Sequence, residues 1–394
     1  MSEPAVVVGY ARVPLGKFGG GLSPFAATSL GGKAIAAALE RSGIPGDTVQ
    51  YVVMGHAIPA GAGQATARQA AVNAGIPLSV PAEGINKVCL SGTTAIARAS
   101  SLIALGDYDI VVAGGMESMS NAPYVLDKAR FGYRMGDGVL RDTMTFDGLT
   151  CPFDHKLMGL ATEGYQAESH GYSRERQDGW AARSHARAAA AWKNGAFEAE
   201  VVPVEVPQRK GDPVVVGRDE GIRPDTTIAA LAGLKPSFAA GGTITAGNAS
   251  PISDGAAALV LMSRRKAAEL GLAELAVIKA WGATAGPLSL LLQPSNAIRK
   301  AAAKIGVNPS GLDLYEVNEA FASVALATVD DLGLSEDIVN VNGGAVALGH
   351  PLGATGARIT VTLINELRRR GGGMGASALC GGGGQGDALI VEVA

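Results

Sequence analysis

Short runs rich in valine and isoleucine alternate with alanine-rich stretches of helical period along most of this 394-residue chain. Continuous apolar runs are typical of strands that are covered on both faces, and their alternation with helices favours an α/β fold. The predicted strands lie at residues 5–8, 50–54, 110–113, 256–262, 276–280, 312–317, 338–342, 376–380 and 388–393. We therefore expect a buried sheet with helices on both faces.

The stretch from about residue 119 to 247 departs from this pattern. It is richer in charged and aromatic residues, and it contains a predicted polar helix near 177–193 and the extended segments VVPVEVP and DPVVVG. We interpret this stretch as a lobe inserted into the α/β part of the chain.

The first and last thirds of the chain follow one plan. Strand 49–56 corresponds to strand 313–320, and in each third a glycine-marked helix start and a further strand come next. Cys89 precedes the helix in the first copy, and His350 precedes it in the second. If the two halves pack about a pseudo-twofold axis, both helix starts and both side chains converge.

Charge and composition exclude several classes of function. The net charge is −3, and the 33 Lys and Arg residues are scattered, so we expect no nucleic-acid partner. The three cysteines have no CxxC spacing and the histidines have no ligand spacing, which argues against a metal site and for a reducing compartment. Because no signal peptide or run of ~18 apolar residues is found, we expect a cytoplasmic protein without a membrane span.

Cys89 lies in NKVCLSG, directly before a predicted helix. Free N–H groups and the positive end of the helix dipole favour a thiolate there, so Cys89 is a candidate nucleophile. The alternative is a small buried apolar residue, which is the commoner role of a free cysteine. His350, in the glycine-rich segment NVNGGAVALGHPLGATGAR, is the candidate base for this thiol, although a structural histidine is the alternative.

Cys380 ends a predicted strand and precedes four glycines, whose N–H groups are able to face a developing oxyanion. The same glycines match the dinucleotide pattern GxGxxG, but the remaining residues predict a strand rather than the helix that this motif requires, so we reject a dinucleotide site. Asn318 lies where a strand gives way to a helix, either as a helix cap or as a residue that holds a water or an oxyanion.

Taken together, NKVCLSG, GGMESMSNAPY, GTITAGNASPISDGAAA, NEAFAS, NVNGGAVALGHPLGATGAR and CGGGGQGDA closely resemble the thiolase family, in its acetyl-CoA acetyltransferase branch. The resemblance implies a duplicated five-layered α/β/α/β/α fold with an inserted loop domain, assembled as a homotetramer. It divides the chain into an N-terminal half (1–118 and 248–270), a loop domain for CoA binding and oligomerisation (119–247) and a C-terminal half (271–394).

The resemblance also implies the site residues. Cys89 would take the acyl group, His350 would deprotonate Cys89 and help to hold the thioester oxygen, and Cys380 would move the α-proton. Asn318 would position a water for one oxyanion site, and the N–H groups of Cys89 and Gly382 would form the other. The residues that would contact CoA or line its channel are Arg223, Ala246, Ser250, Leu149, Met158 and Phe321.

One position departs from the family pattern. Many acetoacetyl-CoA thiolases have a histidine directly before the Met-Gly of the loop domain, and this chain has Leu157 there. We expect no bound cofactor, with acetyl-CoA, acetoacetyl-CoA and CoA as substrates in fatty acid metabolism. The alternatives are a 3-ketoacyl-CoA thiolase of β-oxidation, a ketoacyl synthase, which lacks a second catalytic cysteine, and a thiolase-like acyl-CoA or lipid-binding protein without catalysis.

Overall fold

The computed structural model describes residues 3–169 and 171–394. Its strands are β1 (Ala5–Arg12), β2 (Gly16–Lys17), β3 (Tyr51–Gly55), β4 (Ala82–Ile85), β5 (Ile110–Ser118), β6 (Tyr124–Leu126), β7 (Leu140–Asp142), β8 (Val204–Val206), β9 (Val214–Val216), β10 (Ser253–Ser263), β11 (Ala276–Ala285), β12 (Leu314–Val317), β13 (Gly373–Gly381) and β14 (Gln385–Val393).

The α-helices are α1 (Ala27–Ser42), α2 (Thr66–Asn73), α3 (Ser91–Leu105), α4 (Met158–Ser169), α5 (Arg174–Lys193), α6 (Ile228–Ala232), α7 (Arg264–Glu269), α8 (Gln293–Ile305), α9 (Ala322–Leu332), α10 (Ala345–Leu348) and α11 (Leu352–Arg369). Short 3₁₀ turns lie at Gly46–Thr48, Met119–Asn121 and Glu336–Ile338, and one π-helical turn lies at Met144–Leu149.

Ten of the described strands form one mixed sheet in the order β12-β13-β14-β11-β1-β10-β5-β3-β4, with β2 beside β10. The two ends mirror each other, because β3 pairs with β5 in parallel as β12 pairs with β13. At the centre β1 and β11 are joined only at Val6–Val277 and Val7–Ala276. The duplicated plan expected from the sequence is thus present in the strand order.

Successive side chains of each strand point to opposite faces of the sheet, so they pack against different layers of helices. In β1, Val6 and Val8 pack into an outer core with α1 and α2, whereas Val7 packs into the inner core between α3 and α11. A third core joins α8 and α9 to the opposite face of β12 and β13. The inner core lies between the two halves of this sheet, so the order of layers is helix, half-sheet, helix, half-sheet, helix.

Helices α3 and α11 cross closely because both carry glycine at the crossing. A Cβ on Gly92 would lie 2.7 Å from the Ala357 nitrogen, and one on Gly356 would lie 2.3 Å from the Thr93 nitrogen. Any larger side chain would push the helices apart. This contact brings the two helix N-termini together, as the sequence comparison of the two halves predicts.

The segment between β5 and β10 contains α4, α5, α6 and two small hairpins, β6–β7 and β8–β9. It is tied to the main sheet by Arg12, which is fully buried. The Arg12 Nε lies 2.6 Å from Glu200, and its other two guanidinium nitrogens lie 2.7 and 2.9 Å from the two carboxylate oxygens of Asp219. A buried cation with two carboxylate partners fixes the segment on β1.

One predicted strand is absent from the described structure. Residues 338–342 form no strand, although their sequence is apolar enough for one, and the segment makes only an isolated bridge between Val339 and Tyr315. The side chain of Asn340 explains this, because its amide bonds both the N–H and the carbonyl of Val317 in place of a backbone ladder. Asn340 also has a φ of 48°, which ends any extended strand there.

Candidate active site

Cys89, His350 and Cys380 line one cavity of about 320 Å³ between the two halves. The predicted residues Gly382, Leu149, Met158, Phe321 and Ser250 line the same cavity. Most of the remaining wall is apolar and includes Leu157. An apolar pocket with a few convergent polar groups is the usual form of a small-molecule site.

Cys89 is presented by a sharp turn that leads into α3. Val88 has a φ of 51°, a left-handed conformation that a β-branched residue rarely adopts and that costs of order 1–3 kcal/mol. The Ser91 hydroxyl holds the turn, since it accepts from the Lys87 N–H at 2.9 Å and donates to the Val88 carbonyl at 2.7 Å. The strained turn aims the thiol into the cavity instead of into the core.

The expected thiolate is not the resting form of Cys89. Burial raises the pKa of Cys89 to about 12, and the negative charge of buried Glu117 adds to this shift. The N–H groups of Cys89 itself and of Gly382 act in the opposite direction and lower the pKa. Desolvation outweighs the effect of these two N–H groups, so the thiol needs a base.

The hydrogen bonds of His350 assign its tautomer. The Thr355 hydroxyl donates its single hydrogen to the Pro351 carbonyl at 2.8 Å, so at 2.7 Å from His350 Nδ1 it must accept. We therefore assign the proton to Nδ1 and a lone pair to Nε2. The Asn318 Nδ2 group lies 3.4 Å from that Nε2 as a long donor. This tautomer suits His350 to take a proton from a thiol in the cavity.

His350 stays uncharged in the folded protein. Burial lowers its pKa to about 3, and the positive charge of Arg358 on α11 lowers it further. Arg358 is itself buried, 3.6 Å from Glu316, and no other partner of its guanidinium is found among the described residues. A neutral imidazole near neutral pH is the form that a general base requires.

Asn318 follows β12 directly but does not cap the next helix. The cap residue of α9 is Phe321, and the Asn318 side chain turns to His350. Its Oδ1 atom is buried and makes no hydrogen bond with any described residue. The capping alternative is therefore wrong, and Asn318 presents a free acceptor beside the histidine.

Cys380 lies at the end of β13, and the following glycines form the turn to β14. The glycines are followed by a strand, as predicted, and not by the helix that a dinucleotide fingerprint requires. Gly383 and Gly384 have φ values of 74° and 69°, which only glycine adopts easily. Burial raises the pKa of Cys380, and the neighbouring Cys89 raises it further, so both thiols are protonated in the resting site.

Two residues predicted to contact CoA lie outside the cavity. Ala246 is exposed, whereas Ala249, three residues further along the chain, lines the cavity. Arg223 is also exposed, with its N–H 3.1 Å from His185 Nδ1 and its guanidinium 3.2 Å from His185 Nε2. The expected roles, Arg223 near the nucleotide part of CoA and Ala246 along the pantetheine tunnel, stay predictions.

Two positioning residues were missed by the sequence analysis. Glu117 is fully buried and accepts hydrogen bonds from the N–H groups of Ala57, Ile58 and Gly353, at 2.8 to 3.2 Å, so it ties the loop after β3 to the loop of His350. Thr355 lies in the quoted motif HPLGATGAR, but nothing in one sequence shows that its hydroxyl bonds the histidine. Only the folded loops reveal both contacts.

Within residues 3–169 and 171–394, no group of three or more His, Cys, Asp or Glu side chains is arranged to hold a metal ion. One helical window, Val88–Leu105, is long and apolar enough to cross a membrane by composition, and 56% of it is buried inside the protein. It contains α3, which packs against β3, β5 and α11. Its apolar character is explained by this central position.

Two family models cover almost the whole chain. The model "Thiolase, N-terminal domain" matches residues 5–265, and "Thiolase, C-terminal domain" matches residues 272–393. The protein therefore belongs to the thiolase family, and it is an acyltransferase enzyme. The expected family, fold class and enzyme class are confirmed.

Individual relatives match this chain over almost their full length. The chain is 55% identical over 389 residues to a probable acetyl-CoA acetyltransferase of Mycobacterium tuberculosis, covering 98% of this chain and 99% of the relative. It is 50% identical over 389 residues to an acetyl-CoA acetyltransferase of Cupriavidus necator, with 98% of each covered. A crystal structure of the Bacillus anthracis acetyl-CoA acetyltransferase superposes with a TM-score of 0.97 at 42% identity, covering 100% of this chain and 99% of that one.

Proposed function

We propose that this thiolase is an acetyl-CoA C-acetyltransferase that interconverts two acetyl-CoA with acetoacetyl-CoA and CoA. The observation that carries the proposal is the convergence of two thiols, Cys89 and Cys380, with the unprotonated Nε2 of His350 in one apolar cavity. A thioester acyl group needs one thiol to hold it and a second group to move an α-proton. The names of the full-length relatives support acetyl-CoA as the substrate.

In the first half-reaction, His350 Nε2 takes the proton of Cys89, and the thiolate attacks the carbonyl of acetyl-CoA. The Cys89–acyl bond forms as the bond to CoA breaks. The departing CoA sulfur takes the proton of Cys380, which becomes a thiolate. The N–H groups of Cys89 and Gly382 stabilise the negative charge on the thioester oxygen, and a single donor of this kind is worth about 3–4 kcal/mol.

In the second half-reaction, the Cys380 thiolate takes an α-proton from another acetyl-CoA. The resulting enolate is stabilised by a water on Asn318, whose Oδ1 is otherwise unbonded, and by His350. The enolate forms a carbon–carbon bond to the acetyl group, and Cys89 leaves with the proton held by His350. Each residue returns to its starting state, as ping-pong chemistry requires.

CoA would extend from the cavity past Leu149, Met158, Phe321 and Ser250 towards Ala246 and Arg223. The first four line the cavity, and the last two lie on the exposed surface of the inserted segment. Leu157 leaves this wall without the imidazole found in many relatives of the branch. Contacts between CoA and this position are therefore apolar.

We further propose that the enzyme is a homotetramer in the cytoplasm. Residues 124–140 expose many apolar side chains, including Phe131 and Met135 at 92% exposure each, which a second copy would cover. Light scattering on the wild type and on Phe131→Ser tests the assembly, since loss of tetramers is expected only in the variant. Three unpaired cysteines support a reducing compartment, and cell fractionation tests the location.

CoA-dependent cleavage of acetoacetyl-CoA, beside a medium-chain 3-ketoacyl-CoA, tests the activity. We expect the enzyme to prefer acetoacetyl-CoA, and Cys89→Ala should abolish cleavage. Cys151→Ala is the matched control and should keep activity, because Cys151 is buried and does not line the cavity. Preference for the longer substrate would instead assign a β-oxidation thiolase. Cleavage of neither by the wild type would favour a binding protein without catalysis.

A further inference from the structure

A buried ion pair lies directly behind the cavity, and no step of the mechanism above uses it. The Lys87 Nζ lies 2.7 Å from one carboxylate oxygen of Asp387, and the Thr94 hydroxyl donates to the other at 2.7 Å. The Asp387 side chain is 0% exposed and that of Lys87 is 22% exposed. We refer to these three side chains as the Lys87–Asp387 bridge.

The bridge joins the two chain segments that supply the oxyanion donors. Lys87 is two residues before Cys89 in the strained turn, and Asp387 lies on β14 opposite Leu379, at the base of the hairpin that carries Gly382. The two segments come from opposite halves of the chain. The spacing between the N–H groups of Cys89 and Gly382 therefore depends on how the halves are held together at this point.

The turn and the hairpin also meet through the Gly382 N–H, which faces the Cys89 sulfur, and through apolar contacts. Leu90 packs against Gly381 so closely that a Cβ on the glycine would lie 2.5 Å from the leucine side chain, and Val88 faces Gly382. Such packing sets a minimum distance between the turn and the hairpin but does not draw them together. The bridge supplies the attraction, since a buried carboxylate holds its single charged partner strongly.

We propose that the Lys87–Asp387 bridge is a positioning element that sets the distance between the N–H groups of Cys89 and Gly382. It thereby shapes the site that holds the thioester oxygen, an inference that rests on the proposed function. Donors that are misplaced by a fraction of an ångström lose transition-state stabilisation while substrate binding stays intact. Lys87 and Asp387 are then specific contributors to kcat without touching the substrate.

The test compares Lys87→Met with Lys87→Arg and with Lys279→Met. Lys279 forms a 2.8 Å ion pair with Glu392, also on β14, but these side chains are 33% and 42% exposed and lie far along the strand from the hairpin. For acetoacetyl-CoA thiolysis we expect kcat to fall about 10- to 100-fold in Lys87→Met with KM within about twofold of wild type. Lys87→Arg should restore most of kcat, and Lys279→Met should match the wild type.

A second measurement needs no substrate. Because the Gly382 N–H lowers the pKa of Cys89, a displaced hairpin should slow alkylation of Cys89 by iodoacetamide, read by mass spectrometry. If the wild type fails to cleave acetoacetyl-CoA, the proposed function fails, and slower alkylation in Lys87→Met would still support the positioning role. Unchanged kcat and alkylation in folded Lys87→Met, or equal losses in Lys279→Met, would overturn it. Should Lys87→Met not fold, Thr94→Val, which removes one bond without stranding a charge, decides by the same readouts.

Discussion

Replacing Thr355 by valine tests whether the tautomer of His350 controls acylation of Cys89. The Thr355 side chain is fully buried, and its hydroxyl oxygen accepts a hydrogen bond from the His350 Nδ1–H at 2.7 Å. Valine keeps nearly the same size but offers no acceptor. The buried Nδ1–H then lacks a partner, and the proton is no longer held on this nitrogen.

The size of the effect follows from that single hydrogen bond. A buried donor without a partner costs about 1–3 kcal/mol, which is the free energy by which the tautomer with the proton on Nδ1 becomes less favourable. Since each 1.36 kcal/mol is a factor of ten, the acylation rate should fall about 5- to 150-fold. Affinity for acetyl-CoA should not change, because Thr355 does not line the cavity.

The assay is single-turnover formation of acetyl-Cys89 from acetyl-CoA, followed by rapid quench and mass spectrometry. Thr355→Ser keeps the hydroxyl and is the matched control, with acylation expected to stay within about threefold of wild type. If Thr355→Val acylates as fast as Thr355→Ser, the assigned tautomer does not matter to the chemistry. If both variants are equally slow, packing and not the hydrogen bond is responsible.

Three further predictions concern stability. Arg12→Met leaves two buried carboxylates without their cation and should lower the free energy of unfolding by about 3–5 kcal/mol in urea titrations, whereas Arg12→Lys should cost less. Gly384→Ala should lower the melting temperature more than Gly271→Ala. Both glycines have φ values of 66–69°, but only at Gly384 would the new Cβ meet a backbone oxygen, at 2.2 Å. Equal melting temperatures would contradict this prediction. The pKa of His350 is about 3 in the folded protein and about 6.5 in the unfolded chain, so between these values the unfolded chain binds a proton that the folded protein does not. The free energy of unfolding should therefore decrease as the pH falls from about 6.5 towards 3. His350→Gln should flatten that dependence in chemical denaturation, and an unchanged slope would show that His350 does not contribute.

Much of the fold was predictable because it depends on local pattern. Continuous apolar runs identified eight of the nine predicted strands, and the repeat of a strand followed by a glycine-marked helix placed Cys89 and His350 at equivalent positions. The prediction of a strand at 338–342 was wrong because the Asn340 side chain, and not a neighbouring strand, forms the hydrogen bonds to the Val317 N–H and carbonyl. These two residues are 23 positions apart in the chain. Periodicity carries no information on such a contact.

The sequence by itself determined the α/β class, the family and the candidate reactive side chains, since these follow from residue type, spacing and long motifs. Only the tertiary structure decided their protonation. Cys89 is a thiol and not a thiolate because burial raises its pKa more than the N–H groups of Cys89 and Gly382 lower it. His350 is a neutral base because burial and the positive charge of Arg358 lower its pKa, and its tautomer follows from the contact with Thr355. Desolvation and hydrogen-bond direction depend on which distant segments pack together, and a linear sequence does not record that packing.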